Sequence, residues 1–273
     1  VYGASERPRC MCVPGGVEMY IAKHADYVVK RMPDTGHLHH PTCPSFEPES
    51  GTSGLSELMG EAIIEHSPDQ VEVRTDFAIS RIPGKAMPRG AALSDPAEIR
   101  APRKRMSLRA LLHFLYERAG FNRWYPAMEG RRNQGVLHKY LLEASRGVLL
   151  KGAMLDERLY VPEPFRSEFK EEIAARRRKR LALLLSPEDA VQFKMAIVVG
   201  EYNGSESTTF GRRISVRHMP DVSLCIDGKT WDRVERCCGA ILQARDADVA
   251  CKPRVMMAAL IYAKGAQVYQ VDT

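Results

Sequence analysis

"RCMCVPGG" at residues 9–16 and "HLHHPTC" at residues 37–43 decide how the start of this chain reads. Cys10 and Cys12 are two residues apart. In an extended segment both side chains leave the same face, so both sulfurs can reach one ion. Gly15 and Gly16 follow, and glycines there let backbone N–H groups turn toward the sulfurs without steric cost. Cys43 lies three residues after His40, the separation of a zinc knuckle with one cysteine replaced by histidine, and Pro41 stiffens that turn. The pattern C-x-C…H-x2-C supplies four soft or borderline ligands, a set suited to tetrahedral Zn²⁺. The expected ligands are Cys10, Cys12, His40 and Cys43. His39 is the alternative fourth ligand, His37 is further away, and His24 falls at a solvated turn. Four protein ligands leave no open position, so the zinc is expected to be structural. Such binding contributes on the order of 10–16 kcal/mol in small zinc modules. An iron–sulfur cluster and three buried thiols are the other readings of the same letters.

Outward from the cysteines, "VEMYIAKH" (17–24) and "DYVVKRM" (26–32) read as two strands that bring one ligand pair back to the other. Residues 1–50 are therefore expected to be a zinc-ribbon-like β-hairpin. In 51–105, Ser56 is placed to cap a short helix over 57–66, a strand follows at 70–80, and a Pro/Gly/Arg-rich linker occupies 83–105. In 106–165, Ser107 opens a helix with Leu108, Leu111, Leu112 and Leu115 on one side, and Gly120 stops it. A second helix runs over 133–147, and "ERLYVPEPF" (157–165) is a short strand. That outline is winged-helix-like. In 166–273 a basic helix ends at Ser186–Pro187. Strands at 194–202, 212–219 and 222–227 follow, then a helix capped by Thr230 and a strand or hairpin over 254–271. The fold class expected is α+β: hairpin, winged-helix-like middle, and a C-terminal mixed α/β region. That last region reads as truncated, because the chain starts on Val1 and stops within "QVYQVDT".

A chain of 273 residues with 44% hydrophobic and 27% charged residues has the composition of an ordinary globular protein. Its net charge of +6 is a mild basic bias. No apolar run approaches the roughly 20 residues of a membrane helix. Seven cysteines, an odd count with Cys237 and Cys238 adjacent, do not suggest a disulfide framework. A reducing, cytoplasmic setting with metal-ligand cysteines is expected instead.

"RPRCMCVPGG" (7–16), "MYIAKH" (19–24), "VVKRMPDTG" (28–36), "HHPTCPSFEP" (39–48) and "FNRWYPAMEGRRN" (121–133) resemble a bacterial family known as domain of unknown function 1173. The resemblance covers most of the chain and is most specific in the first fifty residues. It implies three N-terminal cysteines, matched by Cys10, Cys12 and Cys43. It also implies members longer than this chain and an association with mobile genetic elements, which makes DNA a plausible partner. It implies no activity.

Basic clusters at 100–105, 131–132 and 176–180 suggest phosphate contacts. The expected nucleic-acid residues are Arg123, Arg131, Arg132, Asn133, Arg176, Arg177 and Arg178, with Asn133, Gln134 and His138 near base edges. The ordinary alternatives are a solvated basic helix face and Trp124 and Tyr125 as core anchors. No phosphate loop, dinucleotide fingerprint or hydrolase elbow is present. A second reading is a metal-dependent nuclease with Glu201, Asp221, Asp227 and Asp272 converging at strand ends. A third is a protein–protein adaptor.

Overall fold

The computed structural model describes residues 7–23, 26–33, 35–46, 55–67, 69–82, 104–124, 128–187, 190–247 and 253–272. Most of the expected 83–105 linker and of the Pro/Gly/Ser loop expected over 47–56, with His24, Tyr125 and Cys251, lie outside them. The chain divides into two units, 1–74 with 103–105, and 75–102 with 106–273.

In unit 1, β1 (Arg9–Cys10), β2 (Val17–Lys23) and β3 (Tyr27–Arg31) form an antiparallel sheet in that order. Along β2, Val17, Met19 and Ala22 turn inward while Glu18 and Lys23 stay exposed. The helix expected over 57–66 is instead a single 3-10 turn, Ser56–Leu58, followed by a hairpin of β4 (Ile63–Ser67) and β5 (Gln70–Val73). Two consecutive isoleucines, β-branched and half-rigid at χ1, favour the strand.

Unit 2 opens with β6 (Ser80–Arg81). Next come α1 (Leu108–Arg118) and α2 (Gln134–Ser145), which pack on each other. Both helices start where a side-chain oxygen satisfies a free N–H: Ser107 accepts from Ala110 N, and Asn133 from Val136 N. A short hairpin, β7 (Val148–Leu150) and β8 (Ala153–Met154), leads through one helical turn, α3 (Leu155–Arg158), into β9 (Leu159–Tyr160). Then follow α4 (Lys170–Leu181) and β10 (Phe193–Lys194), the latter paired with β6.

The rest of unit 2 is β11 (Ala196–Thr208), β12 (Gly211–Val216), β13 (Ser223–Asp227), α5 (Gly228–Asp246), β14 (Met256–Gly265) and β15 (Val268–Val271). β11 pairs antiparallel with both β12 and β14. β12 pairs with β13, β13 runs parallel to β15, and β15 returns to β14. The ring is closed. A register shift between Tyr202 and Gly204 bends β11, so its first half joins β14 and its second half β12. Val198, Ile214, Leu224, Ile226, Ile261 and Val271 fill the interior. Trp231 of α5 is buried against the same core. A five-stranded Greek-key barrel of this kind has the plan of the OB-fold.

This barrel overturns the expected fold class. There is no winged-helix-like middle and no C-terminal mixed α/β layer. The two helices are real, but β9 lies parallel to β11 on the barrel wall rather than forming a wing. The polar start of α2 faces inward: Gln134 is buried and donates to Pro162 O (2.6 Å), and His138 Nδ1 sits 2.8 Å from Val161 O. Those contacts tie α2 to the segment entering the barrel, leaving neither side chain directed at a base. α5 is also capped differently from expectation. Asp227, not Thr230, is the cap, accepting from Thr230 N (3.0 Å) and Thr230 Oγ1 (2.7 Å).

Candidate metal centre

Unit 1 brings together two tight turns. Cys10 ends β1 opposite Val17 of β2, and the chain turns back through 11–16, closed by Gly16 N donating to Val13 O (3.0 Å). Gly16 has φ +66°, and a Cβ there would press on Arg9 Cβ and Met11 Sδ, each 3.1 Å away. Opposite, the 3-10 turn Gly36–Leu38 delivers His39, and a second turn closes with Cys43 N donating to His40 O (2.8 Å).

The ligand atoms of Cys10, Cys12, His39 and Cys43 all lie within 4.8 Å of one another. Cys10 Sγ is 3.6 Å from Cys43 Sγ, and His39 Nδ1 is 3.3 Å from Cys12 Sγ and 3.7 Å from Cys43 Sγ. Zinc bonds of about 2.3 Å to sulfur and 2.0–2.1 Å to nitrogen imply tetrahedral edges of about 3.8 Å (S···S) and about 3.6 Å (S···N). These three edges lie within about 0.3 Å of those values. The donor set and its spacing therefore fit a tetrahedral soft-metal site. Two backbone donors support the sulfurs: His40 N–H reaches Cys12 Sγ (3.4 Å) and Ser45 N–H reaches Cys43 Sγ (3.4 Å).

The fourth member is His39, not His40. His39 is buried, at 2% exposure, whereas His40 turns out to Thr42 Oγ1 (2.9 Å). Burial, with the Arg31 charge adding to it, lowers the His39 pKa, which favours the neutral imidazole a metal needs. Burial pushes the Cys43 thiol up, but the Ser45 N–H and the Cys10 and Cys12 thiols outweigh it, and the net direction is down. Cys10 goes the other way. The Cys12 N–H draws it down, but burial and the neighbouring Cys12 and Cys43 sulfurs raise it more. One thiolate thus opposes the next, and a divalent cation between them removes that opposition.

The nuclease arrangement is absent: the Cys/His group is the one such cluster of three or more ligands among the described residues. Each carboxylate has its own structural partner. Glu201, buried, accepts from Arg217 (2.8 Å) and Arg254 (2.6 Å). Asp221 pairs with Arg177 and Asp272 with Arg81, while Asp227 caps α5.

The expected nucleic-acid residues separate. Arg177 is 2% exposed and donates to Tyr160 Oη (3.0 Å), His218 O (2.9 Å) and Asp221. It cannot meet a phosphate from there, because its helix buries Ile173, Arg177 and Leu181 as one stripe. Arg176 is clamped by Glu163 through three hydrogen bonds of 2.7–3.2 Å. Arg132 donates to the carbonyls of Phe121 (3.0 Å) and Arg123, holding its own loop. Arg123 is half-buried, Arg131 and Arg178 are exposed, and Asn133 is the α2 cap. Trp124 is 62% exposed rather than a core anchor.

The sequence reading ranks His39 second to His40 and misses the outward residues of the barrel wall. Both H-x2-C and H-x3-C are ordinary ligand spacings, so spacing alone does not separate the two histidines. The wall had a signal: alternation in "RRISV" and "LIYAKG" puts Arg213, Tyr262 and Lys264 on outward positions.

Fold and site together define a β-barrel protein with a separate Cys3His cluster able to hold a metal ion. The chain belongs to the family described as protein of unknown function DUF1173, whose model matches residues 1–272. No curated protein and no solved structure matches it. Among the described residues no helix is long and apolar enough to cross a membrane.

Proposed function

We propose that Cys10, Cys12, His39 and Cys43 hold one structural zinc ion, and that the chain is a zinc-stabilised nucleic-acid-binding protein. The metal half rests on three sulfurs and one imidazole nitrogen within 4.8 Å of one another, a donor set that would fill a tetrahedral zinc and leave no open position for catalysis. Three short strands bury few side chains, so a metal crosslink between their two flanking turns would add much of the stability of this sheet.

The nucleic-acid half rests on one observation. OB-type barrels take oligonucleotides or oligosaccharides on the face of their second and third strands, and here one exposed cation lies on that face and another across the wall from it. Arg213 on the second barrel strand and Lys264 on the fourth are exposed, and neither has a carboxylate partner among the described residues. Fold alone does not fix function; the charge of the wall is what favours a polyanion. The association with mobile elements implied by the family resemblance makes DNA the first partner to test.

The test is fluorescence anisotropy of a labelled DNA oligomer against the full chain over a salt series. The expected result is binding whose log affinity falls linearly with log salt. Absence of binding at low salt would remove the nucleic-acid half and leave the zinc half standing.

A further inference from the structure

We infer that the outer wall of the barrel is a subsite for a single strand of nucleic acid, whose bases stack on the exposed Phe210 ring and the Arg81 guanidinium while its phosphates meet Arg213 and Lys264. The inference rests on the nucleic-acid reading above and names where and in what form the ligand binds.

A single register row crosses the wall. Arg213 of β12 lies opposite Cys225 of β13, Cys225 opposite Gln270 of β15, and Gln270 opposite Tyr262 of β14. Side chains alternate along a strand, and the neighbours Ile214, Leu224, Ile226, Ile261 and Val271 point into the barrel core. The whole row therefore faces out. With strands about 4.8 Å apart, it spans about 14 Å. Lys264 is two residues beyond Tyr262 on the same face. Glu206 stands beyond Arg213 in the row and bounds the basic stretch.

Aromatic groups flank this row. Phe210, in the turn between β11 and β12, is 88% exposed. At the other side Phe193 stacks with Tyr262 at 6.1 Å between centroids, and the Arg81 guanidinium lies 4.8 Å from the Tyr262 ring. Rings and a guanidinium plane are the surfaces on which unpaired bases stack. Phe210, Tyr262, Arg81, Arg213, Lys264 and Gln270 line one groove of about 500 Å³. Its two carboxylates are already committed: Asp272 to Arg81, and Asp227 to the α5 cap. The Arg81 cation offsets Asp272, while Asp227 stays anionic at the α5 cap and is outnumbered by Arg212, Arg213 and Lys264 in the same groove.

The exposed ring of the groove favours a single strand. Paired bases offer no face to Phe210. The volume of the groove is that of a small-molecule pocket, roughly 300–1,000 Å³, room for a nucleotide or two. Gln270, in the middle of the row, is placed to meet a base edge with its amide.

The experiment is anisotropy with the full chain and three labelled probes: a deoxythymidine strand of about 12 nucleotides, within the range of OB sites, a duplex of equal length, and an abasic strand of equal length. The strand should bind best. Phe210→Ala should weaken the strand on the order of 5- to 150-fold and leave the abasic probe unchanged. Arg213→Glu and Lys264→Glu should each weaken both strands and reduce the salt slope by about 0.7 per lost phosphate contact. These positions are exposed, and matching far-ultraviolet dichroism and melting curves confirm that each variant is folded. Equal binding of strand and duplex, or of strand and abasic probe, would overturn the inference. So would a strand affinity untouched by all three variants; in that case nucleic-acid binding survives and resides elsewhere. Binding of no probe would remove both readings.

Discussion

Arg177→Met should destabilise the barrel unit and leave nucleic-acid affinity intact. Methionine keeps most of the side-chain volume and removes every donor. The wild-type side chain is 1% exposed, and its guanidinium holds Tyr160 Oη, His218 O and Asp221 at once. Removing one partner of a buried ion pair costs about 3–5 kcal/mol. The Asp221 side chain is 28% exposed, so solvent offsets part of its loss, and the lower end, about 3 kcal/mol, applies. For a unit of this size each kcal/mol shifts the melting temperature by about 2–4 °C, giving a fall of about 6–12 °C. The assay is thermal unfolding followed by tryptophan fluorescence. Of the two tryptophans, Trp231 is buried in the barrel core and Trp124 is exposed, so the emission change reports the barrel. Asp221→Asn should give a similar loss. In a double-mutant cycle the two losses should be far from additive. A variant that melts within about 1 °C of wild type yet loses DNA affinity would refute the reasoning. Arg177 would then be a phosphate contact, and its burial would not describe the protein in solution.

Other outcomes follow from the same geometry. Burial draws the Glu201 pKa up, but hydrogen bonds and charges from Arg254 and Arg217 outweigh this, and the net shift is down. Its contribution is therefore complete above its unfolded pKa of 4.5 and is lost as pH falls through the lower folded value. The barrel should lose stability on acidification below about pH 4.5, and Glu201→Gln should flatten that dependence in pH-resolved denaturant titrations. Gly211 has φ +146°, and a Cβ there would overlap the Ile226 carbonyl oxygen. Gly211→Ala should cost at least about 1–3 kcal/mol from backbone strain, read as a lowered urea midpoint. Asn133→Ala removes the α2 cap and should cost about 1 kcal/mol, with no change in base preference in the anisotropy assay.

Local structure was largely legible in the sequence. Ser107 and Asn133 mark helix starts because their oxygens meet free N–H groups three residues on. The strands at 17–23 and 27–31 follow from runs of β-branched and aromatic residues around a polar join. Closure of the barrel was not legible. β11 pairs with β14 across more than fifty residues of chain, and no local pattern encodes such a partner. Two helices followed by a short strand suit a winged helix and this connection equally well, so the middle was misread. "RRRKR" read as a basic surface, yet Ile173, Arg177 and Leu181 fall four apart, and that period puts one arginine inside. At the metal centre the three cysteines were plain from their spacing. Which of two adjacent histidines joins them depends on the 3-10 turn at Gly36–Leu38, a conformation that the residue letters did not specify.

The most direct test of the metal centre is zinc content by mass spectrometry on protein purified without chelator or affinity metal, in wild type, Cys12→Ser, His39→Ala and His40→Ala. The account predicts one zinc per chain in wild type and in His40→Ala, and its loss in Cys12→Ser and His39→Ala. No zinc in reduced wild-type protein, or full zinc in His39→Ala, would contradict it.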